Sequence, residues 1–62
     1  MRTFKNIFNV EISIRPFYHT ACEVWRVARY ENNKLFEVYE SKGYEKRIDC
    51  VIACQEHFDK IS

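Results

Sequence analysis

Residues 22–40 read CEVWRVARYENNKLFEVYE, and this stretch decides the architecture. Two segments, Cys22 to Tyr30 and Lys34 to Glu40, are rich in β-branched and aromatic residues and flank the dipeptide Asn32-Asn33. A two-residue hairpin turn needs φ > 0 at both central positions, which Asn tolerates better than most residues. The register follows. Glu31 faces Lys34, Tyr30 faces Leu35, Arg29 faces Phe36, Ala28 faces Glu37, Val27 faces Val38 and Trp25 faces Glu40. One face then holds Trp25, Val27, Phe36 and Val38 and is the better core. The other holds Val24, Arg26, Ala28, Tyr30, Leu35, Glu37 and Tyr39. A longer turn would swap faces on one strand, because side chains alternate with period two.

Upstream, Phe4, Phe8, Val10, Ile12 and Ile14 share one parity, and Ile7, Asn9, Glu11 and Ser13 the other. This alternation predicts a single strand with one buried face. Pro16 lacks a backbone donor and is expected to end it, leaving 17–20 as a connection. Downstream, 41–44 links sheet to helix, with Ser41 or Gly43 near the N-cap. From Glu45 to Ile61, Ile48, Val51, Ile52, Phe58 and Ile61 fall in one broad stripe with Cys54 inside it. That is an amphipathic helix lying on the sheet. The expected fold is α+β: one domain over 1–62, a three-stranded antiparallel sheet with a C-terminal helix on one face (βββα).

The chain has 62 residues, room for one small core. Such a domain buries only about 60% of the surface its unfolded chain exposes. Three cysteines, an odd number, argue against a disulfide framework. Cys50 and Cys54, one helical turn apart, point the wrong way to bridge. This usage fits a reducing compartment, and the expected location is the cytoplasm. No apolar run approaches the ~20 residues that span a membrane. Arg2 and Lys5 mimic a charged leader, but Asn9, Glu11 and Ser13 interrupt any apolar core of a signal peptide. The net charge of +1 lacks the basic excess of a strong nucleic-acid binder.

Catalytic constellations are sparse. Cys50, Cys54 and His57 lie along one helical line and, with Cys22 or His19, suggest zinc. Yet no Cys-x2-Cys knuckle exists, and packing cysteines explain the pattern. A Cys–His nucleophilic pair lacks an orienting group. There is no glycine-rich phosphate loop. The expectation is a non-enzymatic protein without metal or cofactor.

A single helix leaves the far face of the sheet uncovered. Its candidate binding residues are Arg26, Tyr30, Leu35, Glu37 and Tyr39. They read as an interface for a protein partner, with a homodimer expected. The same set, with Arg29 and Trp25, reads second as a DNA-binding sheet. Glu31 and Glu37 dilute the positive field that phosphate needs, and cross-strand pairing of Arg26 with Tyr39 and Arg29 with Phe36 accounts for the arginines otherwise.

Two family resemblances attach to these residues. Trp25-Arg26, the Asn32-Asn33 turn, Ser41-Lys42-Gly43-Tyr44 and a cysteine in the following helix resemble the YegP-like domain, a small module of unsettled function. That resemblance covers residues 23 to about 54 and implies a binding module. The chain lacks that family's Gly after the Asn turn and its Gly-Ile within the helix. Trp25-Arg26-Val27, a polar turn, a strand and an amphipathic helix look like the arm-binding domain of phage-type integrases. This second likeness implies DNA contact through the sheet, though the basic run of its third strand is missing here. By analogy of layout, a compact protein of this kind fits a phage or prophage accessory role.

The strand parities and the helix stripe converge on one layer: Phe8, Val10, Ile12, Trp25, Val27, Phe36, Val38, Ile48, Val51, Ile52 and Phe58. Trp25→Ala is expected to cost roughly 3–5 kcal/mol, comparable with the whole stability of so small a domain, as read from urea unfolding.

Overall fold

The computed structural model describes residues 2–62, apart from the side chain of Ser41. The chain is α+β, with an antiparallel sheet and one C-terminal helix, but it has four strands rather than three. They are β1 (Phe4–Lys5), β2 (Glu11–His19), β3 (Val24–Glu31) and β4 (Lys34–Tyr44), followed by α1 (Arg47–Ile61). The sheet order is β1-β2-β3-β4, each strand antiparallel to the next.

The expected single first strand is a hairpin. Asn6 folds the chain back: its Oδ1 accepts from the backbone N–H of Phe8 (2.9 Å) and of Val10 (3.1 Å). Asn9 completes the turn in the left-handed region, at φ 62°. The alternation hid this turn, since Phe4, Phe8 and Val10 share a parity. Asn6 is the one polar residue in that series, and an Asn side chain competes with ladder hydrogen bonds by bonding the backbone locally. Ile7 and Phe8 consequently sit exposed at the hairpin tip, not in the core.

Pro16 does not end β2, which runs on to His19. The ladder explains why. Asn32 N–H donates to Glu11 O (2.8 Å), and Ser13, Arg15, Phe17 and His19 pair with Tyr30, Ala28, Arg26 and Val24. Alternation of the ladder turns the main-chain groups of those four toward β3, and those of Ile12, Ile14, Pro16 and Tyr18 away from it. β1 covers that outer side only as far as Ile12. Pro16 therefore lies on a free edge, where no N–H is required and where a proline deters strand-on-strand association.

The β3–β4 hairpin turns as expected. Asn32 and Asn33 have φ of 51° and 66°, and Glu31↔Lys34 and Tyr30↔Leu35 are paired. Beyond them the register shifts by one. Arg29 pairs with Glu37, Ala28 with Val38 and Val27 with Tyr39. Phe36 is the extra residue of a bulge, which inverts the facing of β4 from Glu37 to Tyr39; a second shift, between Val27↔Tyr39 and Trp25↔Tyr44, brings Tyr44 back to the helix side.

The buried core is Ile12, Ile14, Ala28, Cys50, Cys54 and Phe58. Trp25, Val27, Phe4, Tyr44 and Ile61 pack around it, half-buried. The helix thus turns Cys50, Cys54 and Phe58 to the sheet and leaves Ile48 and Ile52 exposed at 60% and 48%. The expected stripe was rotated because it was centred on the bulkiest apolar residues. Of the expected core, Phe8, Phe36, Ile48 and Ile52 are exposed, and Val38 lies half-buried on the far side of the sheet.

Helix α1 begins later than the sequence suggests. Lys46 occupies the N-cap without a side-chain cap bond, and Asp49 in the first turn complements the helix dipole. Gly43 belongs to β4 and not to a cap. A Cβ there would come within 2.8 Å of Val24 Cγ2 and 3.0 Å of Val24 Cβ. The expected Ser41 cap concerns a side chain outside the described residues. No helix among those described is long and apolar enough to cross a membrane.

Gly43→Ala is expected to destabilise the fold by about 1–3 kcal/mol through this overpacking. Combining it with Val24→Ala should recover part of the loss, measured by urea unfolding in a double-mutant cycle.

Candidate interaction surface

The sheet carries α1 on the face of Ile14, Trp25 and Val27. Register places Ser13, Arg15, Phe17 and His19 of β2, Arg26, Ala28 and Tyr30 of β3, and Leu35 and Val38 of β4 on the opposite face.

Arginine organises this open face. Arg15 lies over the ring of Tyr30, with Cζ 4.6 Å from the centroid. Its Nε donates to Ser13 Oγ (3.2 Å), and its Nη2 donates to Asn33 Oδ1 across the β3–β4 turn. Ser13 is only 2% exposed and Ala28 fully buried, although both lie on the face without a helix. The long arginine stems account for this, covering small residues while the guanidinium stays wet. Arg26 donates from Nε to His19 Nδ1 (3.0 Å) and from Nη1 to Glu40 O (3.1 Å). Both guanidinium groups are thereby held in fixed places.

Of the five residues singled out from the sequence, Arg26, Tyr30 and Leu35 share this face. Glu37 and Tyr39 do not. The bulge at Phe36 sends them to the helix side, where Glu37 is the register partner of Arg29 and Tyr39 meets His57 of α1 with ring centroids 4.8 Å apart. Arg26 accordingly does not pair with Tyr39. Arg29 does approach Phe36, with Cζ 5.6 Å from the ring centroid, and also bridges Glu31 at 3.2 Å. Glu31 and Glu37, the two carboxylates read as diluting the face, are both absent from it.

Sequence reasoning missed Arg15, Phe17, His19 and Val38. The first three continue the alternation of Ser13 past Pro16, a signal available to a reader who admits proline on an edge strand. Val38 was hidden by the one-residue slip, for which no local sequence signal exists.

The thiols divide by position. Cys22 is exposed in the β2–β3 turn, and Cys50 and Cys54 are buried and unbridged. Burial pushes the Cys54 thiol up to about 12, reinforced by the charge and hydrogen bond of Cys50. Cys50 is also raised, chiefly by burial. Neither is a poised nucleophile, since the thiolate is the reactive form. Among the described residues, no three His, Cys, Asp or Glu side chains gather as metal ligands do.

Comparison with protein families, with curated proteins and with solved structures finds no match to this chain.

Two outcomes are expected for the thiols. A thiol reagent at neutral pH should label Cys22 fast, and Cys50 and Cys54 only after unfolding. The second concerns pH. Cys54 holds its proton to higher pH when folded than when unfolded, so the folded state binds more protons above the ordinary thiol value of 9.0. Stability should therefore be intact below that value and fall as pH rises from there toward about 12. Urea midpoints across the range should show Cys54→Ala flattening this decline.

Proposed function

We propose that this protein is a non-enzymatic interaction module that works through the open face of its sheet, with a second copy of the chain as the occupant and a further protein partner bound by the resulting homodimer. The observation that carries the reading is a face with no second layer among the described residues. There Tyr30, Leu35, Phe17 and Val38 lie beside two arginines already fixed by hydrogen bonds. Pre-ordered side chains lower the entropy lost on association. The face also mixes signs, with Lys5, Arg15 and Arg26 beside Glu11, so a two-fold arrangement can set a cation opposite a carboxylate. The edges are poorer sites: Pro16 blunts β2, and a bulge interrupts β4.

One observation favours a second reading as a nucleic-acid binder of the accessory kind that the integrase likeness implies. With Glu31 and Glu37 on the other face, the open face is more basic than the sequence suggested. An arginine stacked on Tyr30 is also a surface on which a base can lie.

Sedimentation velocity separates these readings. The wild type should be a dimer, and Leu35→Lys with Val38→Lys a folded monomer by circular dichroism. A wild type that stays monomeric at every accessible concentration sinks the homodimer. A gel shift that weakens steeply with salt, and whose salt slope drops by about one for each of Arg15→Gln and Arg26→Gln, establishes the second reading in its place.

A further inference from the structure

On the helix side of the sheet, a groove of about 380 Å³ runs between α1 and β4. Its lining falls into two groups. Val27, Ala53, Tyr39 and Tyr44 make apolar and aromatic walls, and Lys42, Glu56, His57 and Lys60 bring polar ends to it. The volume is within the range of small-ligand sites.

The second observation is an orphan. His57 Nε2 is buried and has no hydrogen-bond partner among the described residues. The ring is placed by Tyr39, tilted 53° to it. A buried polar atom left unpaired is costly, and such an atom in a native fold calls for a cause, among them stored strain, a chemical role, or a bound water, ion or ligand. The third observation is charge. The ion pairs among the described residues are Arg2–Asp59 and Arg29–Glu31, so neither Lys42 nor Lys60 is neutralised in one. Lys42 instead lies near the Tyr44 ring, with Nζ 5.1 Å from the centroid. Glu56 is the one carboxylate in the lining, four residues before Lys60 and so a neighbour of it on the helix surface.

We propose that this groove binds an oxyanion carried on a small aromatic or apolar body. Lys42 and Lys60 neutralise the oxyanion from the strand and the helix, the body lies between Tyr39 and Tyr44, and Nε2–H of His57 donates to the oxyanion once the side chains that shield it from solvent draw aside. The chemistry suits a phosphate monoester or a carboxylate. It is independent of the open face, which lies on the other side of the sheet.

The test uses the two histidines as reporters, His57 in the groove and His19 on the open face. Imidazole ¹H–¹⁵N spectra are recorded during titration with phenyl phosphate, benzoate and inorganic phosphate. The expected result is a saturable shift of His57 with His19 unmoved, at a dissociation constant of ~1 mM or tighter. Lys42→Met with Lys60→Met should weaken binding at least about tenfold. His57→Phe should abolish it without loss of stability, since the orphan is removed with its penalty. Tighter binding of phenyl phosphate or of benzoate identifies which oxyanion the site takes. Inorganic phosphate binding as well as phenyl phosphate would remove the aromatic body from the proposal. No His57 shift up to ~10 mM, equal shifts at both histidines, or binding indifferent to the lysines would overturn the site.

Discussion

An extra residue in β4, at Phe36, decides which face of the sheet the middle of that strand turns its side chains to. In a strand the facing of every residue depends on parity, so the bulge at Phe36 exchanges the two sides of Glu37, Val38 and Tyr39, and a second register shift before Tyr44 returns that residue to the helix side. Tyr39 is thereby turned onto α1 and Val38 onto the open face. The same slip carries Glu37 to the side of Arg29. Without it, the helix would meet Val38 instead of an aromatic ring, and His57 would lack the neighbour that places it. The arginine-pinned face gains Val38 through this slip, and the groove beneath α1 gains Tyr39.

The packing of α1 rests on small side chains. Cys50 and Cys54 are the residues nearest the sheet, and both are buried, so the helix lies close over β2 and β3 with Phe58 filling the space farther along. A thiol behaves there as a small apolar group with a weak donor, which is how most buried cysteines serve. Arg2 fastens the start of the chain to this end of the helix, through Asp59 at 2.7 Å and by lying 4.5 Å over the Phe58 ring. That exposed pair adds little by itself. The close helix leaves larger apolar residues, Ile48 and Ile52, on the outside.

Four asparagines divide the work of turning the chain. Asn6 and Asn9 close the first hairpin, Asn32 and Asn33 the third, and three of them adopt positive φ. Their side chains also reach across. Asn32 Oδ1 accepts from Glu11 N–H (3.1 Å), and Asn33 Oδ1 accepts from Arg15. The β3–β4 turn is thus tied to β2 at two points, and the arginine that covers the open face is ordered by the residue that makes the turn.

Legible from the residues were the antiparallel α+β layout, the two-residue Asn32-Asn33 turn with its first two register pairs, and one amphipathic C-terminal helix. These follow from local chemistry: the φ > 0 tolerance of Asn, β-rich segments and helical spacing. It also placed Arg26, Tyr30 and Leu35 correctly on one face, because all three lie before the bulge or on the regular strand β3. The remaining features came from packing between segments. The break at Asn6, the passage of β2 through Pro16, the slip at Phe36 and the rotation of α1 onto its thiols each depend on what stands beside the segment. A proline is harmless only where no strand seeks its N–H, and a cysteine outranks an isoleucine at the sheet only where the backbones approach closely. Periodicity reports which residues share a side of one element, while the side that is buried is set by the neighbour that covers it.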